Sequence, residues 1–277
     1  MTQSTTQPVL FGTHFHRPVT VAFDQPDSSS DGGAVLLKAV DKNLSLTGRL
    51  EKTIRDSRQP GKVIHRNLDL LRQRIYDIAA GYPDCNDADS LAKDPIHKLL
   101  LDRDPMDGQD LGSQPTLSRF ENSVTSKDLF AMAESLADIV VEHHACRLKN
   151  RARRITIDLD PTDDPTHGAQ QLSFFNAHYH CFCYLPMIGT MQFNSENEKY
   201  LFAAVLRPGN AHSSSGAIGI LSRIIPRVRA AFPKARTACA SMADSVPRTS
   251  WITWTMKALN ISWGTPPIAF LSPRPRK

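Results

Sequence analysis

The sequence predicts an α+β or α/β chain in which a mostly helical region precedes a sheet-forming one, and three observations carry that reading. Between Ala34 and about Arg147 apolar residues recur at helical spacing, the signature of faces with a 3.6-residue period. From Arg151 the alternation shortens to two, the pleat of a strand. Near residue 236 the composition changes abruptly. All three tryptophans (Trp251, Trp254, Trp263) lie beyond it, together with five basic residues (Arg248, Lys257, Arg274, Arg276, Lys277) against one acid, Asp244. The expected organisation is an N-terminal strand and loop over 1–33, a helical region over 34–150, a sheet-forming region over 151–236 and a distinct tail over 237–277.

Each element follows from local chemistry. Val19 to Phe23 is a strand candidate closed by the polar loop Asp24 to Gly33. Ala34 to Leu44 and Leu46 to Asp56 read as short helices, and Leu68, Leu71, Ile75 and Ile78 form the stripe of a third, stopped by Gly81 and Pro83. Ser90 to about Leu101 is a further helix, Pro115 to Glu121 a short one, and Ser126 caps a long one to Arg147 with Leu129, Met132, Leu136, Ile139 and Val140 on its apolar side. Ile155, Ile157 and Leu159 alternate with Thr156, Asp158 and Asp160, so that strand ends in acid. Cys183 to Phe193 and Tyr200 to Leu206 follow as strands joined by a turn at Asn194 to Asn197. Gly216 to Ala231 is then a helix kinked at Pro226.

Composition bounds the class. With 277 residues, 40% hydrophobic and 22% charged, the chain can bury a core. No apolar run approaches the roughly 20 residues of a membrane span, and the polar start lacks the layout of a signal peptide, so a cytoplasmic, non-membrane protein is expected. Five cysteines, an odd number, point to reduced thiols. The net charge of +5 resides mostly in the tail and leaves residues 1–236 close to neutral.

The chemistry concentrates in Thr156 to Gln171, T-I-D-L-D-P-T-D-D-P-T-H-G-A-Q-Q. A carboxylate at the end of a central strand can hold a hard cation, because Mg²⁺ takes oxygen ligands and the strand fixes the side-chain direction. The alternative is that Asp158 and Asp160 are solvated strand-end residues and that Asp163 to Thr166 is an acidic turn. His178, His180, Cys181 and Cys183 offer zinc-type ligands, yet no second cluster stands at zinc-site spacing, and strand residues leading into a core are the simpler reading. Arg147, Lys149, Arg151, Arg153 and Arg154 form a basic run that reads either as a solvated linker or as a contact for DNA phosphates.

That acidic segment, with Leu172 to His180, Tyr184 to Pro186, Tyr200 to Asn210 (Y-L-F-A-A-V-L-R-P-G-N) and Gly216 to Leu221, resembles the first part of the DDE domain of bacterial insertion-sequence transposases (transposase DDE domain, group 1). Gln73 to Leu91 and Ser113 to Asn122 are similar to the helical part of the same family, and the resemblance spans about residues 19–236. It implies a ribonuclease H-like fold, here incomplete, in which two Asp and one Glu bind Mg²⁺, cut DNA at element ends and join the 3′ hydroxyl to a target. The implied partners are DNA, with room for self-association, and the implied location is the bacterial cytoplasm at the nucleoid. The first acid of such a triad sits in an Asp-x-Thr pattern, which falls on Asp160-Pro161-Thr162 and makes Asp160 the implied catalytic and metal-binding residue, with Asp158 as fallback.

The second acid of the family lies in a Leu-Asp-Gly-Gly-Phe segment just after a stretch like Ala231 to Arg236 (A-F-P-K-A-R), and no such segment appears here. The genetic code suggests why. Reading each codon's third base with the first two of the next, from Cys239 onward, permits R-L-D-G-G-F-R-A-P-N-F-L-D-Y-L-D-D-E-G-P-E-Y-L-V-G. Several of these are forced: Met242 before Ala243 requires Gly, Trp251 before Ile252 and Trp254 before Thr255 require Asp, Met256 before Lys257 requires Glu, and Trp263 before Gly264 requires Gly. One lost base at residue 236 or 237, for example turning Arg-Ile-Arg-Val into Arg236-Thr237-Ala238-Cys239, would produce the tail. On this reading Asp244 is not the second acid, the second and third acids are missing from the chain as translated, and the product is expected to be inactive. It would be a non-catalytic DNA-binding protein or transposition inhibitor, or else a poorly folded pseudogene product with Ile155, Ile157 and the strand Tyr200 to Leu206 left uncovered.

Overall fold

In the computed structural model the chain divides into two units, Met1–Ser135 and Leu136–Lys277. The structure describes residues 9–14, 17–21, 29–240 and 262–264. Apart from 262–264, residues 241–277, on which the expectations for Asp244 and Trp251 fall, lie outside the described residues.

The first unit begins with a hairpin, β1 (Val9–His14) and β2 (Arg17–Val21), where one strand was expected. Seven α-helices start among its described residues: α1 (Val35–Leu44), α2 (Leu46–Glu51), α3 (Asn67–Ala80), α4 (Ala88–Leu91), α5 (Pro95–Leu100), α6 (Gln114–Ser123) and α7 (Ser126–Leu148). Two helices are shorter than the periodicity suggested. α2 stops at Glu51, and the helix expected from Ser90 to Leu101 is broken into α4 and α5. The break has a local cause: Asp94 is extended, its carboxylate accepts from the amides of Ile96 and His97 at 2.8 and 3.0 Å, and Pro95 opens the next helix. Gly81 ends α3 at φ 102, a backbone state that glycine enters without a Cβ penalty.

The apolar stripe assigned to α3 holds only in part. Leu71 is buried and Ile75 packs against the core, but Ile78 is 50% exposed, and Leu70, Gln73, Tyr76 and Asp77 are buried as well. Buried polar groups rotate the helix because each finds a partner. The Gln73 amide pairs in both directions with the backbone of Gly112, at 2.8 and 2.9 Å, and the Tyr76 hydroxyl donates to Asp41 at 3.0 Å. Around them Val35, Tyr76, Leu99, Leu100 and Leu111 form the core of this unit.

The second unit is built on a five-stranded sheet in the order β10-β9-β3-β7-β8. Its strands are β3 (Arg154–Pro161), β7 (Met187–Phe193), β8 (Tyr200–Val205), β9 (Arg236–Ala240) and β10 (Ser262–Gly264). β3, β7 and β8 form an antiparallel meander; α8 (Ala217–Ala231) then leads to β9, which returns parallel to β3. A small sheet of β4 (Asp164–Pro165), β6 (Cys181–Tyr184) and β5 (Phe174–Asn176) follows directly on β3. The single strand expected from Cys183 to Phe193 is thus two strands in different sheets. Pro186 lies between them and has no N–H to give to a ladder.

One face of the large sheet is closed. Ile155, Ile157, Leu159, Met187, Met191 and Phe193 pack with Ala137, Val141 and Leu148 of α7 and with Ile220, Ile224, Ile225 and Val228 of α8. The expectation that Ile155 and Ile157 would be uncovered is therefore corrected: both are fully buried, because the two helices cover that face. At the sheet's edge Leu201, Val205 and Leu206 do remain exposed. On α7 the buried positions in this unit are Ala137, Ile139, Val141, His144 and Leu148, while Leu129, assigned to the apolar side, is 57% exposed. His144 fills the place of an apolar residue, its ring 4.5 Å from Phe193 and 4.0 Å from Tyr200.

Candidate metal-binding strand and nucleic-acid contacts

Alternation along β3 sends Ile155, Ile157 and Leu159 into the core and leaves Thr156, Asp158 and Asp160 on the opposite face. Asp158 lies opposite Thr190 on β7 and opposite Ala240 on β9, and Asp160 lies opposite Ile188. The end of the strand is pinned. The Thr162 amide donates to Pro186 O at 3.0 Å and the Tyr179 hydroxyl to Pro161 O at 3.2 Å.

The two carboxylates differ electrostatically. Asp158 accepts from Lys199 Nζ at 3.0 Å. Asp160 has no ion pair among the described residues, and its pKa is raised, first by burial and then by the Asp158 charge, with Lys199 opposing. A carboxylate held in that state gains from any cation brought beside it. Mg²⁺ needs a shell of oxygen ligands. Among the described residues no group of three His, Cys, Asp or Glu is placed to hold a metal ion, so Asp158 and Asp160 by themselves do not complete a magnesium site.

The basic run does not act as one patch. Arg147 forks onto Glu196 at 3.1 and 2.7 Å and lies over the Tyr200 ring at 5.9 Å. Arg151 donates to Leu148 O and Arg147 O, and Arg154 to Asn194 O. Lys149 and Arg153 are exposed. Of the zinc-type residues, Cys181 and Cys183 alternate on β6, where Cys183 is fully buried beneath the small sheet. All five cysteines are free thiols.

Two arrangements escaped the sequence reading. In the first unit His97, 1% exposed at its side chain, bridges Asp77 at 2.9 Å and Asp31 at 3.0 Å, and Tyr82 donates to the same Asp31 at 3.0 Å. Burial alone would lower the His97 pKa, but its two carboxylate partners outweigh it and the net shift is upward. In the second unit the buried Arg207 donates to Leu185 O at 2.8 Å and to the carbonyls of His212, Ser213 and Ser215 at 3.1, 3.2 and 2.9 Å. It fastens the loop before α8 to the start of β7. The available signal was the same in both cases, a titratable residue amid apolar neighbours: I-H-K-L-L around His97 and A-V-L-R-P around Arg207.

Among the described residues no helix is long and apolar enough to cross a membrane. No curated protein matches the chain. The family described as Transposase DDE domain group 1 matches residues 11–258, a span longer at both ends than the resemblance read from motifs and extending past Arg236. An acid-ended central strand, its antiparallel neighbours and the parallel strand beside it all fall within that span, and the chain belongs to the DDE transposase family.

Proposed function

We propose that the chain is an insertion-sequence transposase by descent, with Asp160 as the first acid of its triad and a one-base frameshift at residue 236 or 237 that removes the second. The observation that carries this is the register of β9 on β3. Thr237 lies beside Ile155, Cys239 beside Ile157 and Ala240 beside Asp158. Restoring one base there permits Leu-Asp-Gly-Gly-Phe at positions 241–245, with the aspartate in place of Met242 and the glycine at 243 forced. A restored strand that continued this register for two more residues would carry its aspartate beside Asp160 and on the same face, at the roughly 4.8 Å spacing of neighbouring strands.

The rest of the restored strand agrees. In that example positions 237 and 239 become isoleucine and valine on the core face, where the shifted frame supplies Thr237 and Cys239. An alternating apolar and polar run fits a half-buried strand. The strand order, a three-strand meander followed by a helix and a parallel return beside the first strand, supports the ribonuclease H-like reading. Between the two acids of β3, the Lys199 contact favours Asp160 as the ligand, since Asp158 is already paired.

In the family, Mg²⁺ supplies activation of the attacking oxygen and stabilisation of the leaving one. In this chain Asp160 stands ready without the neighbour it needs, so the chain as translated binds DNA without cutting it. The test is cleavage of a duplex carrying the sequence that flanks the gene. The 277-residue chain is expected to give none, and the frame-restored chain to cut with Mg²⁺. Asp160→Asn in the restored chain should lower the rate by three orders of magnitude, about 4 kcal/mol, and Asp158→Asn by much less. Turnover by the 277-residue chain overturns the reading.

A further inference from the structure

A cleft of about 430 Å³ opens in the first unit between the segment 55–67 and α6. We propose that it is a binding site for the phosphate backbone of duplex DNA. This rests on the family's action on DNA but not on the frameshift, because none of its residues belongs to the tail.

The lining is cationic in a particular way. Arg55, Arg58, Lys62 and Arg119 contribute to it, and Asp56 is its one carboxylate. That carboxylate is consumed locally: Arg58 grips it through Nε at 2.8 Å and Nη2 at 2.7 Å. Arg58 also donates to His65 O at 2.9 Å and to Asn67 Oδ1 at 2.7 Å, so it braces the cleft wall and leaves the other cations uncompensated. Lys62 and Arg119 are exposed and make no ion pair among the described residues, and Arg55 is offset only in part, by Asp128. His65 adds no charge at neutral pH, since burial and then Arg103 lower its pKa.

Folding places these like charges around one concavity at an electrostatic cost, and an incoming polyanion relieves it. The competing surface is weaker: in the basic run of the second unit, Arg147 is spent on Glu196, and Arg151 and Arg154 on backbone carbonyls. Exposed cations gathered around one concavity suit phosphates that recur along a duplex.

The experiment is equilibrium binding of the 277-residue chain to a fluorescein-labelled duplex across a salt series, followed by anisotropy. Each phosphate contact contributes about 0.9 to the slope of log K against log salt. The combined variant Arg55→Gln, Lys62→Gln, Arg119→Gln should reduce the slope by about 2.7 and weaken binding on the order of 100-fold at physiological salt. Lys62→Gln and Arg119→Gln singly, at exposed positions that leave the fold intact, should each reduce it by about 0.9. Lys149→Gln with Arg153→Gln should leave it nearly unchanged. Unchanged slopes in both single variants, loss confined to the 149/153 variant, or no DNA binding by the parent chain would each overturn the proposal, whatever the restored frame does in cleavage.

Discussion

Replacing His97 by leucine keeps its bulk in the helical unit but removes both of its hydrogen bonds. Asp31 would retain the Tyr82 hydroxyl, whereas Asp77, 3% exposed at its side chain, would be left a buried charge without its imidazole partner. Removing one member of a buried pair in this way costs about 3–5 kcal/mol. At a urea dependence of about 1–3 kcal/mol per molar, the midpoint should fall by one to several molar. The pH dependence supplies a second reading. The His97 pKa is raised in the folded state from its ordinary 6.5, so its contribution is complete below that value and is lost as pH rises through the folded one. The Asp31 pKa is lowered; burial opposes the shift, and its hydrogen bonds to His97 and Tyr82 outweigh burial, so its contribution is lost as pH falls below the ordinary 3.8. Urea denaturation followed by circular dichroism from mildly acidic to alkaline pH should show the parent losing stability on the alkaline side and His97→Leu showing no such loss. A cost below about 1 kcal/mol, or alkaline loss that persists in the variant, would refute the network's role.

Two further predictions concern the second unit. Burial, then Arg147 and His143, lowers the His144 pKa to about 4, so the parent should lose stability as pH falls from 6.5 toward that value. His144→Leu should flatten that arm in thermal melts at pH 4.5 and 7.5, and equal slopes would contradict the assignment. At Gly209 an added Cβ would lie 2.1 Å from Cys183 O and 2.6 Å from Phe174 O. Neither backbone atom can give way, so Gly209→Ala should cost about 3 kcal/mol and expose the small sheet to limited proteolysis; a neutral effect on the urea midpoint would contradict the packing.

The parts of the fold that the sequence made legible are those where one physical signal dominates. The period-two alternation of β3 set Ile157 and Asp158 on opposite faces, and the helix over Ala217–Ala231 tolerates Pro226 because its apolar face meets the sheet. Where side chains reach across the chain, periodicity misled. Gln73, Tyr76, Asp77 and His97 stand outside any apolar stripe yet occupy the core, because they pair with one another or with Gly112, Asp41 and Asp31 across 20 to 66 residues of chain. Pro186 divides a run that looked continuous. As for the site, Asp158 and Asp160 were visible as strand-end acids, but the ion pair with Lys199 that distinguishes them was not, since it depends on how the turn after β7 folds back. The basic run drew attention by density alone, while Lys62 and Arg119, 57 positions apart, meet only in the folded cleft.

The central claim, that the second acid was displaced by one base beside a strand already built to present it, is tested most directly by the coding DNA across codons 236–264. The account predicts that one restored base in codon 236 or 237 opens an uninterrupted frame encoding Leu-Asp-Gly-Gly-Phe at positions 241–245, with aspartate at position 242. A stop codon within that frame, or a residue other than aspartate at position 242, would contradict it.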